Sequence, residues 1–290
     1  MEIQLRSTFI VIRAKFLFSY EPKALMSTKH TLAYWTNWLW PAMIRQTLGR
    51  SSLVVPLPIR HAVAGWLWPK MRPFLSSFDE HRCIFVHIPK NAGSSVSRSL
   101  GIKPNGHTGI WTYQMIFSPE EFRNYFKFAV VRNPWDRVLS AFLFLKNGGI
   151  SKGDKQWQEF LSSYETFDDF VRLGLSRTMT MSRSHFRPQR DYICVGSNPP
   201  AMDFICYYED LDADFRYVCE KLNINAPLLK LNVTESGRRD YKSYYTEETR
   251  RKVAELYADD IRILGYSFDN SNLPIQLASR DSRMKVERLH

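Results

Sequence analysis

The sequence predicts an α/β domain with a largely parallel sheet, and three recurrences predict it. Short apolar runs rich in β-forming residues appear as CIFVHI (83–88), FKFAVV (126–131) and MDFICYY (202–208). Each run is followed by a turn, and each turn leads into a stretch with helical periodicity. Strands that alternate with helices need crossover connections, which favour parallel pairing with helices packed on the sheet.

The first unit starts at Cys83; Pro89 bounds the strand, and GSSVSRSL (93–100) continues at helical spacing. In the second, the chain turns at Arg132, Asn133 and Pro134 before WDRVLSAFLFL (135–145). Asn133 suits a helix N-cap and Pro134 a first helical residue, where its missing N–H costs nothing. The third run precedes EDLDADFRYVCEKLNI (209–224), a turn and then an amphipathic helix. Thr246 opens a further helix to Leu264, on which Val253, Leu256, Tyr257, Ile261 and Leu264 share one face. NGGISKGDK (147–155) reads as an exposed loop.

With 290 residues, 44% of them hydrophobic, the chain has enough apolar material for one large or two modest cores, which excludes disorder throughout. The expected organisation is a tryptophan-rich, helical extension over 1–80, a main domain over 81–270 and a tail over 271–290. The extension holds five of the eight tryptophans, Trp35, Trp38, Trp40, Trp66 and Trp68. It reads as a helical extension packed on the main domain, or as a peripheral contact with a membrane surface. Met26 is an alternative start to Met1. No run reaches the roughly 18 to 20 apolar residues of a spanning helix. Cys83, Cys194, Cys206 and Cys219 lack metal-ligand spacing and sit in apolar flanks, so they are expected as buried free thiols and suit a reducing compartment. Asn232–Thr234 forms a glycosylation triplet, relevant only to a secreted chain.

A formal charge of +11 favours an anionic partner. Two turns are candidates to hold it. In PKNAGSS (89–95), Gly93 permits close backbone approach, Lys90 supplies a cation, and Ser94 and Ser95 supply hydroxyl donors. The lysine precedes the glycine and no GK[ST] follows, so this is not a Walker A loop. A plain strand-to-helix turn would also account for it alone. At the second turn Arg132 ends its strand and Ser140 lies two helical turns on, so both could face one phosphate. Arg137 is the competing basic residue and reads as a solvated or ion-paired helix charge. Two oxyanion sites on neighbouring strand ends suit a nucleotide phosphorylated at two separate positions.

HIPKNAGSS followed by FKFAVVRNPWDRVLSAF resembles the sulfotransferases that use 3′-phosphoadenosine 5′-phosphosulfate (PAPS), in the branch that contains carbohydrate sulfotransferases. The resemblance extends more weakly through HFRPQ (185–189) to about residue 268 and leaves residues 1–80 outside it. It implies a P-loop-like three-layer domain, a central sheet flanked by helices, and no metal. Lys90, Asn91, Ala92, Gly93, Ser94 and Ser95 would hold the 5′-phosphosulfate, with Asn91 in place of the usual Thr or Ser. Arg132 and Ser140 would bind the 3′-phosphate.

The same resemblance gives Lys90 the stabilisation of charge on the leaving phosphate and His107 the role of general base. His185 is the second choice for the base. With Arg187 and Arg190 it could instead contact an acidic or sugar acceptor. His87, on the strand before the loop, reads as structural, and Glu209 as a group that orients a basic neighbour. The expected activity is sulfuryl transfer to a hydroxyl of a carbohydrate or glycolipid-like acceptor, in a cytoplasmic setting with membrane association as a variant. Two alternatives stand beside it. A nucleotide-dependent phosphotransferase lacks its GK[ST], and a non-catalytic polyanion-binding protein lacks long basic runs and any common nucleic-acid module, so no nucleic acid is expected as partner.

Overall fold

The structure, a computed structural model, describes residues 72–279 apart from 103–105, 118, 196–198, 230 and 232–239. All of these belong to the unit that runs from Gly49 to His290. Residues 1–71 of the extension, with its five tryptophans and Met26, and residues 232–234 of the glycosylation triplet lie outside the described residues.

The chain enters through α1 (Arg72–His81), whose Phe78 is buried in the core, and passes into β1 (Cys83–Val86). Next come α2 (Gly93–Ser99), α3 (Ile110–Ile116), α4 (Pro119–Asn124) and β2 (Phe126–Val131). The β2–β3 connection holds α5 (Pro134–Lys146), α6 (Lys152–Ser162), a π-helical turn at Phe170–Gly174 and α7 (Arg177–Ser182), and ends at β3 (Phe204–Tyr207). Then follow α8 (Leu211–Leu222), α9 (Glu247–Leu256) and α10 (Ala258–Leu264).

The three strands lie in the order β1–β2–β3 and pair in parallel throughout. Nearly all their residues are buried, so helices cover both faces, as a parallel sheet requires. All four cysteines are free and buried. One hydrophobic cluster surrounds the sheet. A second, almost wholly helical cluster gathers Trp135, Val138, Leu139, Phe142 and Leu145 of α5 with Phe167, Phe170, Phe186, Val253 and Tyr257. Helix α5 thus commits one face to this second cluster.

The Asn133 carboxamide accepts from the Trp135 N–H and Pro134 is the first helical residue, so α5 starts as its sequence predicts. Two expectations change. The helix expected over 246–264 breaks at Tyr257, and the break turns the Asp260 carboxylate inward to accept from the N–H groups of Gln189 and Arg190. The loop expected over 147–155 is half helix: Ser151 caps α6, and Asp154 closes a capping box, so its side chain folds inward.

The aromatic centre of the second cluster is Phe170, with ring centroids 5.1 Å from Phe142 and 5.3 Å from Phe186. Phe170→Ala opens a cavity there and is expected to lower stability by about 3–5 kcal/mol in chemical denaturation, through a shifted midpoint at constant slope.

Candidate functional site

The ends of β1 and β2 bring the two candidate turns into contact. In the first, Lys90 and Ala92 both adopt left-handed backbone angles, φ 71° and 58°, which side chains with a Cβ rarely accept. This curl delivers the chain to the start of α2. Ala92, its N-cap, has no side chain that can accept, so the start of α2 has no side-chain cap. Ser94 is exposed there. Ser95 turns aside instead, with its hydroxyl accepting from the Leu231 N–H at 3.2 Å. Gly93 is needed for a different neighbour than the sequence implied: a Cβ there would lie 1.9 Å from Cδ2 of His87, whose ring covers the glycine.

The second turn places Arg132 against the first. Its Nη1 donates to the Lys90 carbonyl at 3.0 Å, its Nε to Asp136 at 2.7 Å, and its guanidinium lies over the Tyr208 ring at 4.1 Å. Ser140 is buried two turns into α5. Glu209 acts on the charge of its basic neighbour Arg132 and has a further role beside that: its carboxylate accepts from the Asn133 N–H at 2.7 Å and the Tyr266 hydroxyl at 3.0 Å, fixing the backbone of the turn. Burial raises its pKa.

Both turns are held from beneath by Gln189, which is fully buried. Its Oε1 accepts from Asn91 Nδ2 at 2.7 Å and from the Arg132 N–H at 2.9 Å, while Nε2 donates to the Arg132 carbonyl at 2.8 Å. Asn91 also donates to the Val130 carbonyl, so its side chain braces the loop and points away from the ligand side. Arg137 corrects the sequence expectation. It is 1% exposed, not solvated, and donates to the carbonyls of Pro89 and Arg187 at 3.0 and 2.9 Å. Helix periodicity alone cannot show this, because the groups that accept from Nε and Nη1 are backbone oxygens of two distant loops.

Three histidines line the same region. The His107 ring is 4.9 Å from His87 and 5.8 Å from His185. Burial lowers all three pKa values, to about 3 for His87 and about 4 for His107 and His185, with His107 also opposing charge on His87 and His185. His107 keeps an open surface, so water moderates its depression; the direction, toward the neutral form at pH 7, stands. His107 Nδ1 lies 3.4 Å from the His87 carbonyl. A carbonyl can only accept, so the imidazole that makes this contact carries its proton on Nδ1 and keeps the Nε2 lone pair.

Lys90 rests with its ammonium 3.7 Å from the centroid of Phe144. Its pKa is lowered to about 8 by burial and then by Arg132, with Asp154 acting in the opposite direction. Asp154 also acts on His107 and His185, which no spacing rule would show, since Asp154 reads as part of a polar loop. Arg187 lies with its guanidinium 5.6 Å from the Tyr192 ring, and Arg190 is taken by Asp259 at 2.8 Å. The site is therefore rich in cations and neutral imidazoles, an electrostatic match for a multiply charged anion beside a group that needs a base.

A model described as "Sulfotransferase family" matches residues 75–267. Carbohydrate sulfotransferase 14 of Danio rerio is 25% identical over 232 residues, which cover 67% of this chain and 62% of that protein. Carbohydrate sulfotransferase 10 of Rattus norvegicus is 23% identical over 235 residues, 65% of each chain. An uncharacterized protein of Archaeoglobus fulgidus is 26% identical over 114 residues, 39% of this chain and 81% of its own length. This chain thus spans a little under two thirds of the first two relatives. No solved structure matches it.

Gln189→Leu keeps the volume and removes three hydrogen bonds. It strands the buried Arg132 N–H and carbonyl, and is expected to cost about 2–4 kcal/mol in denaturant unfolding. An unchanged midpoint would show that the two turns are held some other way.

Proposed function

The chain belongs to the sulfotransferase family, and on that premise we propose that it transfers a sulfuryl group from PAPS to a hydroxyl of a carbohydrate or glycoconjugate acceptor. The observation that carries this reading is the direct contact of the two anion-receptive turns, Arg132 Nη1 to the Lys90 carbonyl at 3.0 Å. Two anion sites at one fixed separation suit a donor with phosphate groups at both ends of its ribose better than a linear triphosphate.

The donor set fits that ligand. The backbone from Lys90 to Ser95 and the Ser94 hydroxyl take the 5′-phosphosulfate. Arg132 and Ser140 take the 3′-phosphate. Lys90 carries its charge near the first turn and stabilises the phosphate oxygens as they gain charge on leaving. His107 accepts the acceptor's hydroxyl proton at Nε2, which makes that oxygen nucleophilic. His185 and Arg187, on the loop beside it, contact the acceptor. The relatives' printed names support a carbohydrate as that acceptor. Four buried free thiols support a reducing, cytoplasmic setting. Among the described residues no helix is long and apolar enough to cross a membrane.

Titration of the protein with 3′-phosphoadenosine 5′-phosphate and with ATP tests the donor site. The bisphosphate should bind more tightly, and Arg132→Ala should weaken it by about 2–5 kcal/mol, since truncation removes a buried cation from the site and leaves the partly exposed Asp136 carboxylate without its partner. Equal affinity for both nucleotides in both proteins would sink the proposal. His107→Ala should keep nucleotide affinity while the transfer rate falls roughly 10²- to 10⁴-fold.

The pH profile has a defined shape. His107 acts only when deprotonated, so activity rises as pH climbs through its depressed pKa, giving an acid limb below the usual histidine range. Lys90 acts only when protonated, so activity falls as pH passes about 8. An acid limb at or above ordinary histidine values would count against His107 as the base.

A further inference from the structure

We propose that Phe144 is a positioning residue that holds the Lys90 ammonium over its ring and so fixes the lysine at the reaction centre; this rests on the reading of Lys90 as a participant in sulfuryl transfer. Arg137, Ser140 and Phe144 follow one another at steps of three and four along α5, which puts them on one face of the helix. The first braces the phosphate loop and the second lies at the second turn. The third, alone among them, has an aromatic ring.

That ring is anchored on one side and used on the other. Phe144 is half-buried, packed against the second hydrophobic cluster beside Phe142 and Leu145. Its centroid lies 3.7 Å from Lys90 Nζ, and the His185 ring stacks on it at 5.5 Å with 30° between planes. A ring gripped by the cluster and by His185 has little freedom to follow the lysine. The lysine must therefore come to the ring.

The charged and titratable neighbours of Lys90 make this contact consequential. Arg132, from the β2 turn, opposes the ammonium charge; Asp154, from α6, supports it; and His185, from the loop after α7, is neutral at pH 7. Burial also opposes the charge. The face of an aromatic ring attracts a cation, and more strongly where water is excluded. Phe144 thus offsets part of what burial and Arg132 take away, and keeps the lysine protonated where a developing anion needs it. Leucine at this position would supply the same apolar wall without the π face.

The test measures Lys90 directly in the full chain. The pH dependence of its acylation by acetic anhydride, read by mass spectrometry at the Lys90 peptide, gives its titration midpoint without any nucleotide. Wild type is expected near 8. Phe144→Leu and Phe144→Met should lower the midpoint by roughly half a unit to one and a half units, and Phe144→Tyr should restore it. The affinity for 3′-phosphoadenosine 5′-phosphate should begin to fall at correspondingly lower pH in the leucine and methionine variants. A midpoint unchanged in both variants overturns the assignment, as does a midpoint lowered equally by tyrosine, which would mark a purely steric role. A protein whose lysine titrates as expected but which never binds the bisphosphate would refute the sulfotransferase reading and leave the lysine–ring contact established.

Discussion

The structure around the site depends on one buried carboxamide. Gln189 meets Asn91 from the first turn and both backbone groups of Arg132 from the second, so two loops 42 residues apart in sequence are tied through a single side chain. Its own backbone is held in turn by Asp260, a fully buried carboxylate whose pKa burial pushes up to about 6. Each group in this chain is fully enclosed, so every hydrogen bond left unmade would leave a desolvated polar atom. The network therefore leaves little play in the separation of the two turns. A ligand with two phosphates needs that separation fixed before it arrives, because a loop that must order on binding loses affinity to its own entropy.

Helix α5 explains how this rigidity reaches the chemistry. One face is sunk in the second hydrophobic cluster through Val138, Leu139, Phe142 and Leu145, and cannot move without disturbing it. Another face presents Arg137, Ser140 and Phe144. The same helix thus links core packing to the first turn, the second turn and the lysine. The left-handed angles at Lys90 and Ala92 persist in this setting because Arg137, Arg132 and Asn91 pin the loop on every side.

Electrostatics gives the site two kinds of group. Lys90, Arg132, Arg137 and Arg187 make the region attractive to an anion. The same low-polarity surroundings push the three histidines toward neutrality and Lys90 toward a pKa near physiological pH. One set of groups holds charge and the other can take up a proton. Acid–base chemistry on a charged donor needs both at close quarters.

The sequence by itself determined the parallel strand–turn–helix plan, the cap and first turn of α5, the buried free cysteines and the two turns that carry the basic residues. Each of these is written in local pattern: alternation of apolar runs with helical periods, an Asn-Pro pair, a lysine and a glycine in a short turn. Only the tertiary structure decided what the polar residues do. It sent Arg137, Asn91 and Glu209 inward to backbone groups, gave Gly93 to the His87 ring, broke the last long helix so that Asp260 could reach Gln189, and set Lys90 on Phe144. The reason is physical. Periodicity reports which face of an element meets the core, whereas the partner of a buried donor or acceptor is set by loops far away in sequence, and no local pattern specifies their meeting.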